Sequence, residues 1–108
     1  MIYELRIYTA VPGRLPDILK RFDTVTLGLW QKHGIRQAGF WTTLAGPSNQ
    51  DLTYLIEWES LAERDIRWTA FQSDPVWLAA RIESEKNGPI VANIANSFLQ
   101  PTTFSSVR

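Results

Sequence analysis

Along Ile2–Thr9 the side chains alternate in character. Tyr3, Leu5 and Ile7 fall on one face of an extended chain, and Ile2, Glu4, Arg6 and Tyr8 fall on the other. A period of two is the mark of a strand. Val11-Pro12-Gly13-Arg14 breaks the pattern, and Pro16 suits the first turn of a helix. From Leu15 the period lengthens to about 3.6. Leu15, Ile18, Leu19, Phe22, Thr26, Leu29, Trp30 and His33 form a stripe, with Lys20, Arg21, Asp23 and Lys32 outside it. The spacing predicts one amphipathic helix of roughly five turns, closed by Gly34 as its C-cap.

Ile35–Leu44, with Phe40, Trp41, Thr42 and Thr43, has a strand composition. Gly46–Asp51 reads as a hairpin loop and Leu52–Trp58 as the returning strand, with Tyr54, Ile56 and Trp58 on one face and Thr53, Leu55 and Glu57 on the other. Ser60 with Glu63 is a capping box. The helix it opens, with Trp68 and Phe71 toward the core, must end near Ser73, because Pro75 cannot sit in a helix interior. Asp74-Pro75 restarts it as N-cap and first helical residue, and Asn87-Gly88 ends it. Ile90–Leu99 is a fourth strand, and the tail from Gln100 is expected to be extended and anchored by Phe104.

The order β-α-β-β-α-β predicts a single α+β domain over residues 1–108 with a ferredoxin-like, four-stranded antiparallel sheet. Its first and third strands are central, both helices cover one face, and the second helix is broken near Ser73–Pro75. The uncovered face would carry several large apolar side chains, which a monomer should not expose. Two sheets packed face to face would bury them in a two-fold homodimer, a dimeric α+β barrel. Five tryptophans and a formal net charge of zero agree with such self-association.

The even charge balance disfavours nucleic acid as a partner. No apolar run approaches the roughly 20 residues of a bilayer span, and the start reads as a strand rather than a targeting segment. The absence of cysteine removes disulfides, thiolate nucleophiles and Cys-based metal sites, and suggests a reducing, cytoplasmic setting.

The chain resembles the NIPSNAP family, within the dimeric α+β barrel superfamily. The matching stretches are "YELRIYT" followed by "PGR", "HGI" leading to "GFW", "YLIEWESL", "RWTAFQSDPVW" and "LQPTTFS", which cover nearly the whole chain in order. The resemblance implies the fold and a homodimer but no defined activity. Relatives in the wider superfamily include small monooxygenases, lactone isomerases and haem enzymes.

Candidate chemistry centres on few residues. His33, the one histidine, either caps the first helix or contacts a ligand, and a single axial haem ligand is the most it offers a cofactor; none is called for otherwise, and no metal site can be assembled from it. Glu4, Arg6 and Tyr8 share a strand face, and Arg6 is expected to pair with Glu4 or with Glu57 across the sheet. These charges suggest a polar pocket floor, with Arg6 as an anion anchor and a carboxylate, Glu57 by choice, as general base. Trp41 and Trp58 are candidates to line the pocket, whereas Trp68 and Trp77 read as core and Arg64 and Arg67 as a solvated helix face. The function expected is a homodimeric binder of a small apolar or acidic molecule, or a cofactor-independent monooxygenase- or isomerase-like enzyme, with a pocket between sheet and helices. The alternative is a non-catalytic interaction module. No Gly-rich phosphate loop, HExxH or GxSxG is present.

Overall fold

A computed structural model describes residues 1–108. The chain runs β1 (Ile2–Ala10), α1 (Leu15–Arg21), a π-helical turn (Phe22–Thr26), α2 (Leu27–His33), β2 (Arg36–Thr42), β3 (Asp51–Trp58), α3 (Leu61–Gln72), α4 (Pro75–Ser84) and β4 (Val91–Leu99). The strands form one antiparallel sheet in the order β2-β3-β1-β4, so the first and third strands are central, as the ferredoxin-like order requires.

Cross-strand register decides which face is which. Glu4, Arg6 and Tyr8 lie opposite Ile56, Tyr54 and Leu52. This is the helix-covered face, where Leu52, Tyr54, Ile56 and Trp58 pack on Ile18, Phe22, Leu29, Trp30, Phe71 and Trp77 in one core. Phe40 stacks on Tyr54 with ring centroids 4.7 Å apart, and Phe22 meets both rings edge-on. The opposite face holds Leu5, Ile7, Thr53, Leu55 and Glu57, with Trp41 and Leu99 added by the edge strands. No helix covers it, and Trp41 is 52% exposed.

The first helix is continuous but not regular. Its buried Ile18, Phe22, Thr26 and Trp30 recur every four residues. On a helix of 3.6 residues per turn each step of four overshoots a full turn by about 40°, so three steps drift by about 120°. A π-turn, with its i→i+5 bonds, takes one more residue per turn. Placed at Phe22–Thr26, it absorbs the drift and keeps all four side chains on the sheet. The Thr24 hydroxyl donates to the Lys20 carbonyl at 2.7 Å, occupying an acceptor at the widened turn.

The helix ends follow their local signals. Gly34 takes φ 72° as the left-handed C-cap of α2. Ser60 Oγ accepts the Glu63 amide at 3.1 Å, while the Glu63 carboxylate reaches back to the Glu59 amide. Asp74 accepts the Val76 amide at 2.8 Å and restarts the helix with Pro75 behind it. Four expectations change. Arg64, read as part of a solvated helix face, turns inward with 20% of its side chain exposed and donates to Glu4. Phe104 is 86% exposed and does not anchor the tail. Trp68 is only half-buried, since it packs on the core with one side and lines an open cleft with the other. The last helix stops at Ser84, before the Asn87-Gly88 signal, with Glu85 at its C-cap.

Candidate functional site

The helices do not reach across the outer strand, β4. They leave a cleft of about 680 Å³ above β1 and β4, walled by α1, α3 and α4. That volume falls in the range of small-molecule pockets, about 300–1,000 Å³. Arg6 and Tyr8 form its floor, Arg21, Trp68 and Trp77 rise from the helices, and Asn93 closes the strand side. Arg81 and Glu85 stand at the mouth, so three guanidinium groups face one carboxylate.

Arg6 is fixed from three directions. Its Nε donates to Tyr54 Oη at 2.9 Å, its Nη1 donates to Glu4 Oε2 at 2.9 Å, and its guanidinium carbon lies 4.6 Å from the Trp68 ring centre. Burial opposes its charge, but the Tyr54, Tyr8 and Glu4 oxygens outweigh it and hold its pKa above the usual arginine value. Glu4, fully buried on the floor, accepts four further hydrogen bonds. Trp58 Nε1 donates at 3.1 Å, Asn96 Nδ2 at 3.0 Å, and Arg64 through Nε at 3.3 Å and Nη2 at 3.4 Å. Burial alone would raise the Glu4 pKa; the bonds from Asn96, Arg6 and Arg64 overcome it and hold it below 4.5. A carboxylate so saturated with donors is a poor general base. Glu4 therefore positions Arg6 rather than moving a proton. Burial, reinforced by Tyr8, keeps the Tyr54 phenol neutral, well above its usual range.

Arg21 is a different case. It is 94% buried, as 6% of its surface remains exposed. Nη1 donates to Ser84 Oγ at 3.1 Å and the guanidinium lies 5.0 Å over Trp77, yet Nε has no partner and no carboxylate comes within ion-pair distance. Burial, the largest influence, pulls its pKa below the usual value, and neighbouring Arg81 adds to that.

The residues expected to form one site are divided among three places. Arg6 and Tyr8 line the cleft and Glu4 lies beneath Arg6, whereas Trp58, expected to line the pocket, is fully buried and meets Glu4 through Nε1. Glu57 does not pair with Arg6. It projects from the opposite sheet face, where Arg36 lies 3.4 Å away, because Arg6 is in register with Tyr54 and strand alternation sends Glu57 to the far side. Trp41 shares that far face and lies across Gly39, whose φ of 134° opens a bulge and leaves room for the ring. His33 is off the cleft: its Nε2 meets Asp74 Oδ2 at 2.7 Å, beside Lys32 Nζ at 2.9 Å on the same oxygen. Asp74 thus caps α4 and ties it to the end of α2. No group of three or more carboxylate or imidazole side chains converges in a way that would hold a metal ion.

The NIPSNAP family model matches residues 3–106. The chain belongs to the NIPSNAP family. An uncharacterized NIPSNAP-like domain protein from Burkholderia xenovorans superimposes with TM-score 0.85 at 25% identity, over 96% of this chain and 87% of that one. A NIPSNAP family protein of unknown function from Agrobacterium tumefaciens superimposes with TM-score 0.87 at 24% identity, over 100% of this chain and 94% of that one. A variant of MhuD, solved with two manganese protoporphyrin IX molecules per active site, shares the fold at TM-score 0.60 and 14% identity, over 97% of this chain and 98% of that one. No curated protein matches this sequence at a significant level.

Within this NIPSNAP domain, Arg21, Arg81, Glu85 and Asn93 line the cleft without being singled out as functional in the sequence, where Trp68 and Trp77 read as core. Arg21 falls outside the helical stripe, and its burial comes from α4 laying Trp77 across it. Trp68 and Trp77 are also cleft wall, since one ring face can pack inward while its edge meets the cavity. A residue count along one helix carries no trace of either. The helix pair α1 and α4 had to be docked first.

Proposed function

We propose that this NIPSNAP domain acts as a homodimer that binds a small acidic or apolar molecule in the cleft between sheet and helices. The observation that carries the binding reading is a ligand-sized cleft whose lining has three arginines and one glutamate beside the rings of Tyr8, Trp68 and Trp77. Such a lining suits a ligand with a charged end and an apolar body. The homodimer is supported by the uncovered sheet face, where Trp41 and Leu99 are 52% and 44% exposed. A second copy laid face to face would cover Trp41 and Leu99 together.

A binding role fits better than proton-transfer catalysis. The carboxylate nearest Arg6 is saturated, and Glu57 and His33 point elsewhere. A porphyrin is not part of the proposal, because the imidazole of His33 is engaged by Asp74. A second reading, an interaction module, draws on Ile66 and Ile82, which are 73% and 74% exposed on the outer helices.

A thermal-shift screen of small carboxylic acids and neutral aromatics, repeated on Arg6→Ala, tests the binding reading. A hit should raise Tm with concentration, as preferential binding to the native state requires, and Arg6→Ala should lose it while staying folded. Equal shifts in both proteins would refute the cleft as the site. Sedimentation at micromolar concentration tests the dimer, and a well-folded single chain would refute it.

A further inference from the structure

Charge within the cleft is unevenly compensated. Arg6 has Glu4 beneath it at 2.9 Å, and Arg81 has Glu85 at 3.8 Å. Arg21 has no such partner and is more deeply enclosed than Arg81. A guanidinium held away from water without a counter-ion is costly. Within the chain the guanidinium meets only a serine hydroxyl and the face of Trp77, and neither neutralises its charge. Its Nε is buried without a partner, the Trp77 ring lies under the guanidinium, and the side chain lines the cleft wall.

Resting on the pocket reading above, we propose that Arg21 is the anion anchor of the cleft, and that the ligand is a monocarboxylate with a flat apolar body. One uncompensated positive charge calls for one negative charge. A planar carboxylate matches the guanidinium fork, which a tetrahedral dianion would overcharge. The ligand's body then lies along Trp77 and Trp68, whose rings form the apolar side of the same cavity. In this arrangement Arg6 forms the floor, and Arg21 supplies the selectivity for charge.

The test uses benzoate, its uncharged isostere benzamide, and inorganic phosphate on the intact protein. Titrations follow the Trp77 indole N–H resonance and the heat of binding. The expected result is benzoate binding at least tenfold tighter than benzamide or phosphate, with the Trp77 resonance moving. Arg21→Met should lose at least tenfold in benzoate affinity, leave benzamide unchanged, and melt no lower than the parent. Arg21→Lys, which keeps the charge without the fork, should recover only part of the loss. Benzamide binding as well as benzoate would overturn the anion anchor and leave the pocket intact. Tightest binding of phosphate would overturn the carboxylate assignment. Failure of all three to bind or to move Trp77 would overturn the pocket reading itself. Should Arg21→Met fail to fold, Arg21→Lys decides the matter: weaker benzoate binding with benzamide unchanged supports Arg21 as the anchor, and unchanged benzoate affinity overturns it.

Discussion

Glu4 is the residue whose removal should disturb this protein most for its size. It is fully buried, and it accepts from Arg6, Trp58, Asn96 and Arg64 at 2.9–3.4 Å. Replacing it with alanine strands Arg6, which has 8% of its side chain exposed, without a counter-charge. Breaking a buried pair from one side costs about 3–5 kcal/mol, because the surviving charge stays desolvated. Against a total of about 5–15 kcal/mol for a domain, that is a large fraction. Glu4→Gln keeps the shape but turns charged acceptors into neutral ones and points an amide at donors. A loss of about 2–3 kcal/mol follows, given that charge-assisted bonds are roughly twice as strong as neutral ones. Removing the buried pair, as in Glu4→Leu with Arg6→Met, should recover part of the stability, as paired replacement of buried ions does, while the Trp58 and Asn96 donors stay unpaired. Urea unfolding followed by tryptophan fluorescence gives the numbers. With a slope near 2 kcal/mol per molar, Glu4→Ala should move the midpoint down by about 2 M at constant slope. A midpoint within about 0.5 M of the parent, or a double variant whose losses simply add, would show that water reaches the Glu4 network.

Three smaller tests address other parts of the fold. Gly34→Ala puts a methyl group at φ 72°, where the added carbon meets the Arg67 guanidinium that bonds the His33 carbonyl; about 1–2 kcal/mol should be lost, read by thermal melt. Acid stability should fall as pH drops below 4.5, because the folded-state pKa values of Glu4 and Asp74 are depressed from 4.5 and 3.8. The contribution is complete above that range and lost below it, since the unfolded carboxylates take up protons first. Asp74→Asn should flatten the lower part of that curve in a pH-resolved melt, and an unchanged slope would count against the Lys32, His33 and Val76 bonds. Leu55→Asp, on the uncovered sheet face, should shift sedimentation toward a single chain while leaving the circular dichroism spectrum native.

Strand alternation and cap chemistry carried most of the architecture. Ser60, Glu63, Asp74 and Pro75 each perform the backbone job their side chains imply, and those jobs depend on neighbours within four residues. The candidate site was less legible. Arg6, Tyr8 and Glu4 share a strand face, so their company was visible; whether Glu57 joined them depended on register, which no single strand encodes. Arg21 owes its burial to α4, more than fifty residues on, and a polar residue one position off an apolar stripe looks solvated until that helix is placed.

The π-turn next to Arg21 allows one more deduction, because it separates two reasons for its existence. If it only corrects helical phase, then deleting exposed Thr24 should be tolerated. The interval from Ile18 to Trp30 would shrink from twelve residues to eleven, and eleven residues on a regular helix return within about 20° of the same face. Deleting Gln31 instead leaves the π-turn in place and rotates His33 and Gly34 by about 100° relative to the core. The Gly34 cap and the His33–Asp74 tie would then be lost together. Melts should therefore rank the parent above the Thr24 deletion, and that well above the Gln31 deletion. Benzoate titration adds the functional half, since π-turns often sit at functional sites. Should the Thr24 deletion stay folded yet lose benzoate, the turn would be needed to present Arg21 to the cleft. Should it unfold as readily as the Gln31 deletion, the phase argument for the first helix would be wrong.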